Sequence, residues 1–309
     1  MPFSFRRQVV IVTVTAVTVG VLIFAALHES AADIGRTGAA ADSHPLPAGE
    51  RTSAHAPAGT GKAAKSSGGS TAAQRHGWGR PVAADEFDRL DKKAWEVYNG
   101  RGHAGKGRRS PSAVTVRDGV LRITGKPDGT TGGLGWRKGE QKTGRWEARV
   151  KLNRSCACYN ANMLLWPVNG GGGTAPKGGG GEVDYMETYE DNGLRKGAFF
   201  FLHFDQREGS EQKGREGNSG RISDHMKVDL TTWHTFAVEW TGKGISGYVD
   251  GRRWFHTSRR DVLPPGPMGQ AIQLDWMPHL KKLTAPSIDL KRKNRLAVLE
   301  VDWIRMYGV

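Results

Sequence analysis

The chain has 309 residues, 37% of them hydrophobic and 25% charged, a balance that can bury a core and that excludes both a multi-pass membrane protein and disorder throughout. Lys and Arg number 45 against 31 Asp and Glu, and of the +14 excess only +3 falls in residues 1–77, leaving +11 for residues 78–309. Neither zinc-finger spacing nor a basic helical stripe accompanies that excess, so nucleic acid is not an expected partner, and two Cys cannot staple a fold of this size.

Read from the N-terminus, the chain opens on Arg6-Arg7 and then runs uncharged from Gln8 to Leu27. A basic end followed by about one bilayer's worth of apolar helix marks residues 1–32 as a signal peptide or signal-anchor. The length of the run favours an anchor, and Ser30-Ala31-Ala32 offers the small residues that suit cleavage; the sequence leaves both open. Either outcome places the rest outside the cytoplasm, extracellular or at the cell surface, with this segment engaging the membrane or the secretion machinery. Residues 33–77 are expected to form a flexible linker. Between 31 and 77 there is no Phe, Trp, Tyr or Val, so burial cannot offset the entropy of ordering the stretch. Its Gly59-Thr60-Gly61-Lys62 is no phosphate loop, because Ala63 stands where a metal-binding Ser or Thr is required.

From residue 78 onward, period-two alternation recurs and no apolar 3.6-residue period persists. Strands are predicted over Val114–Val116, Val120–Thr124, Trp146–Leu152, Gly197–Phe204, Ala271–Trp276 and Ala297–Tyr307. In Trp233–Trp240, Phe236, Val238 and Trp240 share one face. Ile245–Val249 and Arg252–His256 flank Asp250-Gly251, a dipeptide suited to the positive φ of a type I′ hairpin turn. The expected fold class is an all-β antiparallel sandwich, formed by residues 78–309 as one domain.

The chemical signal is Glu182-Val183-Asp184-Tyr185-Met186-Glu187. On a strand Glu182 and Asp184 project from one face, while Glu187, five residues from Glu182, points the other way. One extra residue in a β-bulge around Tyr185–Met186 would return Glu187 to the face of the other two. Four strand steps then separate the two Glu Cα atoms by roughly 13 Å. If each side chain leans about 4 Å inward, the carboxyls end roughly 5 Å apart, the gap of retaining glycosidases. Three clustered carboxylates cannot all ionise comfortably, so one of them is expected to hold a proton.

This strand resembles the Glu-x-Asp-x-x-Glu signature of glycoside hydrolase family 16 in its laminarinase-like members. The resemblance extends in order through Asp85-Glu86-Phe87-Asp88 with Trp95, Gly144-Arg145-Trp146-Glu147-Ala148-Arg149, Trp233-His234-Thr235 with Glu239-Trp240, Val249-Asp250-Gly251, and Val301-Asp302-Trp303-Ile304-Arg305. It implies a jelly-roll sandwich and retaining endo-hydrolysis of β-1,3 or β-1,3-1,4 glucans. Glu182 matches the nucleophile, Glu187 the acid/base, on which the shared proton is then expected, and Asp184 the assisting carboxylate, with His203 a cleft histidine near Glu187. No cofactor is required. A structural calcium is a further family trait, for which Asp302 is a candidate ligand, but no metal site is assigned. A transglycosylase on the same residues and a non-catalytic glucan-binding module are the alternatives.

Sugar sites need flat aromatic faces and polar groups for hydroxyls. Trp136, Trp166 and Trp276, which precede or end strands, are the candidate platforms; Asn99, Arg109 and Gln273 are the polar candidates. The glycine-rich run Gly170–Gly181 stands where a Trp-Pro usually precedes the catalytic strand, which puts one subsite aromatic in doubt. Cys156 and Cys158 lie too far apart to pair on a strand but can pair in a loop, and the sequence leaves this open. Lys281-Lys282 and Lys291-Arg292-Lys293 read as solvated loop charges, or as a patch for anionic wall polymers. The expected partner is a β-glucan polysaccharide, met by a monomer.

Overall fold

The computed structural model describes residues 70–168, 181–188, 193–205, 219–278 and 296–309. The signal segment, most of the expected linker, nearly all of the glycine-rich run and both Lys/Arg clusters lie outside these residues.

Two antiparallel sheets face each other across one apolar core, giving the sandwich that the alternation implies, in the jelly-roll form that the resemblance implies. The first follows the order β16 (Arg252–Thr257), β15 (Gly244–Val249), β14 (His234–Thr241), β9 (Gly144–Leu152), β18 (Ala297–Tyr307), β6 (Val120–Gly125), β5 (Val114–Arg117), with β1 (Ala83–Asp85) added along β18. The second follows β13 (Ser219–Lys227), β12 (Gly197–Asp205), β11 (Glu182–Glu187), β10 (Tyr159–Pro167), β17 (Met268–Trp276), β8 (Gly133–Trp136), β2 (Trp95–Val97). A small third sheet joins β3 (Gly100–Arg101), β4 (Arg108–Arg109) and β7 (Thr130–Thr131).

Period-two placement explains the core. Phe236, Val238 and Trp240 of β14 enter it from the first sheet; Met163, Leu165, Phe200 and Leu202 meet them from the second. Phe200 stacks on Phe255 with centroids 3.9 Å apart, which ties the two sheets together. At the β15–β16 turn Asp250 and Gly251 take φ +46° and +73°, as the hairpin dipeptide requires. The opening segment is fixed by Asp85, whose carboxylate accepts from the Phe87 N–H (2.8 Å) and the Trp95 indole N–H (2.7 Å). Cys156 and Cys158 form a disulfide in the turn before β10, with Cα atoms 5.0 Å apart. The loop setting permits what a regular strand would forbid.

The linker boundary at residue 77 is corrected. Thr71 caps a short helix α1 (Ala72–His76): its hydroxyl accepts from Gln74 N–H, the Gln74 side chain returns to Thr71 N–H, and Gly77 ends the helix at φ +64°. Ala72, Ala73 and Trp78 pack with Ala237, Tyr248 and Tyr307 on the face of the first sheet turned away from the core. Small alanines read as linker by composition, yet here their size lets the helix lie close on the sheet. Under them sits Glu147, fully buried, whose carboxylate accepts from the Ala72 and Ala73 amides.

Burial pushes the Glu147 carboxyl up to about 7, against the lowering effect of those two amides and of Arg305. A carboxyl raised in the fold contributes fully below the unfolded value and loses its contribution as pH rises through the folded one, here between about 4.5 and 7. Glu147→Gln should therefore flatten the pH dependence of stability across that window, an effect of at most on the order of 3 kcal/mol. Thermal melts of both proteins at pH 5 and pH 8 check this; an unchanged difference between the two pH values would refute it.

Candidate active site

The strand β11 is not regular. Against β10 its register runs Met163↔Met186 and then Leu164↔Asp184, so Tyr185 is the extra residue of a bulge. Against β12, Glu182, Asp184 and Glu187 lie opposite His203, Phe201 and Phe199. Those three partners alternate along β12, so all three acids share one face of the sheet, the face turned away from the core. Val183, Tyr185 and Met186 join the core instead. The bulge expected from the odd spacing is present and sits where expected.

Neighbouring strands supply the groups around the acids. Asn162 of β10 donates to Asp184 (2.8 Å), and Asn160, two residues earlier, donates to Glu187. His203 Nε2 lies 3.3 Å from the other Asp184 oxygen. Burial pushes the Glu182 and Glu187 carboxyls well above the usual range, and the Asp184 charge pushes both further. The Asn160 amide works in the opposite direction on Glu187. Both glutamates are thus raised, and the site as it stands does not single out Glu187 as the proton carrier.

On the β17 side, Arg109 reaches Gln273 (2.5 Å) and Asp275 (2.8 Å) and lies over the Tyr98 ring at 5.6 Å. His103 Nδ1 approaches Asp275 at 3.8 Å, and burial lowers its proton affinity. Tyr98 lies flat against Gly133 and Gly135, where a Cβ would come within 2.9 Å of its ring or hydroxyl; only glycine admits it there. Asn162 Oδ1, Arg109 Nε and His103 Nε2 are buried without a hydrogen-bond partner among the described residues. Each has capacity for a hydroxyl. On the other side, Phe199 and Phe201 stack with planes 4° apart, flanked by His225 (4.4 Å) and Arg221 (4.8 Å).

The candidate substrate residues divide. Arg109 and Gln273 are brought together on the acid-bearing face, and half-buried Trp166 shares the side of β10 that carries Asn160 and Asn162. Trp136 does not belong there: Gly133 and Gly135 occupy the open face of β8, and Trp136 points into the core, stacked on Trp95 at 5.6 Å. Trp276 follows Asp275 on β17 and so turns the other way, packing on the core and over Gly107 and Gly129. Asn99 is exposed and meets Arg108 at 3.5 Å. His203 is placed beside Asp184 and opposite Glu182 rather than against Glu187. Asp302 holds Arg149 at 2.6 Å. Ligand atoms of Glu182, Asp184 and His203 lie within 4.8 Å of one another, close enough for a cation, but the paired glutamates make proton chemistry the better reading.

Asn160, Asn162, Tyr98, His103, Asp275, Phe199 and Phe201 were not candidates from sequence. The alternation Asn160-Ala161-Asn162-Met163 and the pattern Phe199 to Phe204 carried a usable signal for four of them, once their faces are assigned. Trp136→Ala should cost about 3–5 kcal/mol of stability in a denaturant titration. Full stability with loss of glycan binding would return Trp136 to the cleft.

No protein-family model matches this sequence, and no curated protein matches it. Solved structures do match in fold. The catalytic domain LamAcat from Zobellia galactanivorans superposes with a TM-score of 0.60 at 15% identity, covering 75% of this chain and 99% of its own. A glycoside hydrolase family 16 endo-glucanase from Bacteroides ovatus, in complex with G4G3G-2F-DNP, gives 0.58 at 15%, covering 73% and 99%. The laminarinase catalytic domain from Thermotoga maritima gives 0.57 at 20%, covering 74% and 98%. The chain has the fold of family 16 glycoside hydrolases.

Proposed function

We propose that this protein is an exported, retaining endo-glycosidase that hydrolyses β-1,3 or β-1,3-1,4 glucans. One observation carries the reading: a bulge at Tyr185 turns Glu182, Asp184 and Glu187 to one face, where burial raises both glutamates. That the matching folds include a laminarinase and an endo-glucanase supports the substrate class. The apolar run at residues 8–27 supports export, by cleavage or by anchoring.

In the first step the ionised Glu182 attacks the anomeric carbon while Glu187 gives its proton to the departing glycosidic oxygen. The C–O bond breaks and a glycosyl ester forms on Glu182. That ester is neutral, so the repulsion raising Glu187 weakens and its carboxylate can accept a proton from water. Water then attacks the same carbon, the ester bond breaks, and both acids return to their starting states. Two inversions leave the anomeric configuration unchanged. Asp184, held by Asn162 and facing His203, supplies the negative field that raises Glu187 and lets it hold the proton it donates. The buried polar atoms around Arg109 and His103 would receive sugar hydroxyls, and Phe199, Phe201 and Trp166 would offer flat surfaces to sugar rings.

Incubating the full-length protein with laminarin, lichenan, xyloglucan and agarose, with anomers followed by proton NMR, should show β-products first from a glucan. α-Products first would replace double displacement with inversion. Glu187→Gln should cut the rate by about 10²–10⁴-fold, and Glu182→Gln should abolish turnover. Asp184→Asn removes the charge that raises both glutamates, so the bell of rate against pH should move to lower pH. A bell that stays in place would remove Asp184 from that role.

A further inference from the structure

Immediately behind Glu187 lies a buried guanidinium with no part in the steps above. Arg195 is 1% exposed, and its main chain takes φ +60°, a left-handed setting that a non-glycine residue keeps only where its surroundings fix it. Its donors go to Ser155 Oγ (2.8 Å), the Tyr159 carbonyl (2.9 Å), the Asn153 carbonyl (3.4 Å) and Thr188 Oγ1 (3.1 Å). The same Thr188 hydroxyl lies 2.9 Å from the Ala161 N–H and 3.2 Å from Asn160 Oδ1.

We propose that Arg195 is a positioning residue for Glu187, acting through Thr188 and Asn160 so that an amide N–H, and not an amide oxygen, faces the carboxylate. The proposal rests on the acid/base reading of Glu187. A guanidinium and a main-chain N–H can only donate, so together they occupy both lone pairs of the Thr188 hydroxyl. Its one hydrogen must then go to Asn160 Oδ1. With its oxygen claimed on that side, Asn160 presents Nδ2 to Glu187. An amide can flip by half a turn at little steric cost, so this network is what decides its direction. Without Arg195 the hydroxyl is free to accept from Asn160, the amide turns over, and Glu187 meets an oxygen that it can approach only as the protonated acid. Loss of the relay thus raises the proton affinity of Glu187.

Among the described residues, the charged and titratable groups facing Glu187 are Glu182 and Asp184 on its own strand, His203 on β12, Arg221 and His225 on β13, and Asp275 on β17 backed by Arg109 and His103. Substitution at Thr188 leaves all of them in place, so it isolates the direction of the Asn160 amide. The test compares full-length wild type, Thr188→Val, Thr188→Ser and Arg195→Met. Two readouts serve: the rate of glucan hydrolysis against pH, and a carbon-detected NMR titration of the Glu187 carboxyl that needs no substrate. Thr188→Val and Arg195→Met should move the alkaline limb and the Glu187 titration up by about one pH unit, the worth of one hydrogen bond to a charged group. KM should hold, and Thr188→Ser, which keeps the hydroxyl, should titrate as wild type. Thr188→Val titrating as wild type would overturn the proposal. So would Val and Ser variants that lose activity alike with the titration unmoved. Thr188→Val keeps the shape of the side chain and decides the matter even if Arg195→Met does not fold. A wild type inactive on every glucan would sink the glucanase reading, while the carboxyl titration would still decide the role of Arg195.

Discussion

One extra residue in a single strand governs the chemistry of this fold. A regular strand from Glu182 to Glu187 would send its last carboxylate into the core, at the cost of burying a charge among apolar side chains. The bulge at Tyr185 reverses that outcome: Tyr185 and Met186 take the core positions and Glu187 joins Glu182 and Asp184 on the open face. Tyr185 is anchored there by a hydrogen bond from its hydroxyl to Gln270 (2.8 Å), so the bulge is held from below by a satisfied buried polar pair.

Bringing three carboxylates together is unfavourable, and the surroundings answer it with neutral donors more than with cations. Asn162 and Asn160 donate to Asp184 and Glu187, while the Arg109 guanidinium is spent on Gln273 and Asp275. A cation placed directly on the glutamates would hold both ionised and leave no proton to give. Amides bind a carboxylate without cancelling the repulsion that keeps one proton in the cluster. The buried Arg195 extends this arrangement one layer back, since it donates to hydroxyl and carbonyl oxygens and bears on Glu187 through the orientation of neutral groups.

The N-terminal segment shows the same preference for capped backbone over charge pairing. Glu147, buried in the first sheet, is met by the amides at the start of α1, and the helix is in turn held by Ala72, Ala73 and Trp78 against Ala237, Tyr248 and Tyr307. Trp78 meets Tyr248 and Tyr307 edge-on, each with centroids 5.6 Å away, and receives the Arg145 guanidinium at 5.4 Å. Helix α1 therefore lies on the sheet face remote from the acids.

The sandwich, most of its strands, the Asp250-Gly251 turn and the acid strand with its bulge were legible in the sequence, because each depends on local alternation, on positive φ in a turn, or on an odd spacing between like residues. Ala297–Tyr307 was bounded to the residue, although its alternation shifts by one at a bulge between Val301 and Trp303. What alternation cannot say is which of the two faces of a strand is open, and that depends on the strand beside it. Trp136 and Trp276 look like rim aromatics until Gly133, Gly135 and Asp275 claim the open face and turn both rings the other way. Asn160, Asn162 and Phe199 alternate in a way that marks a shared face without saying which face is open; pairing with β11 sets them beside carboxylates 22 to 27 residues distant in sequence or opposite them on β12. Helix α1 is the plainest case. Its alanines are too small to announce burial by composition, and only packing with Ala237, Tyr248 and Tyr307 on the outer face of the first sheet buries them.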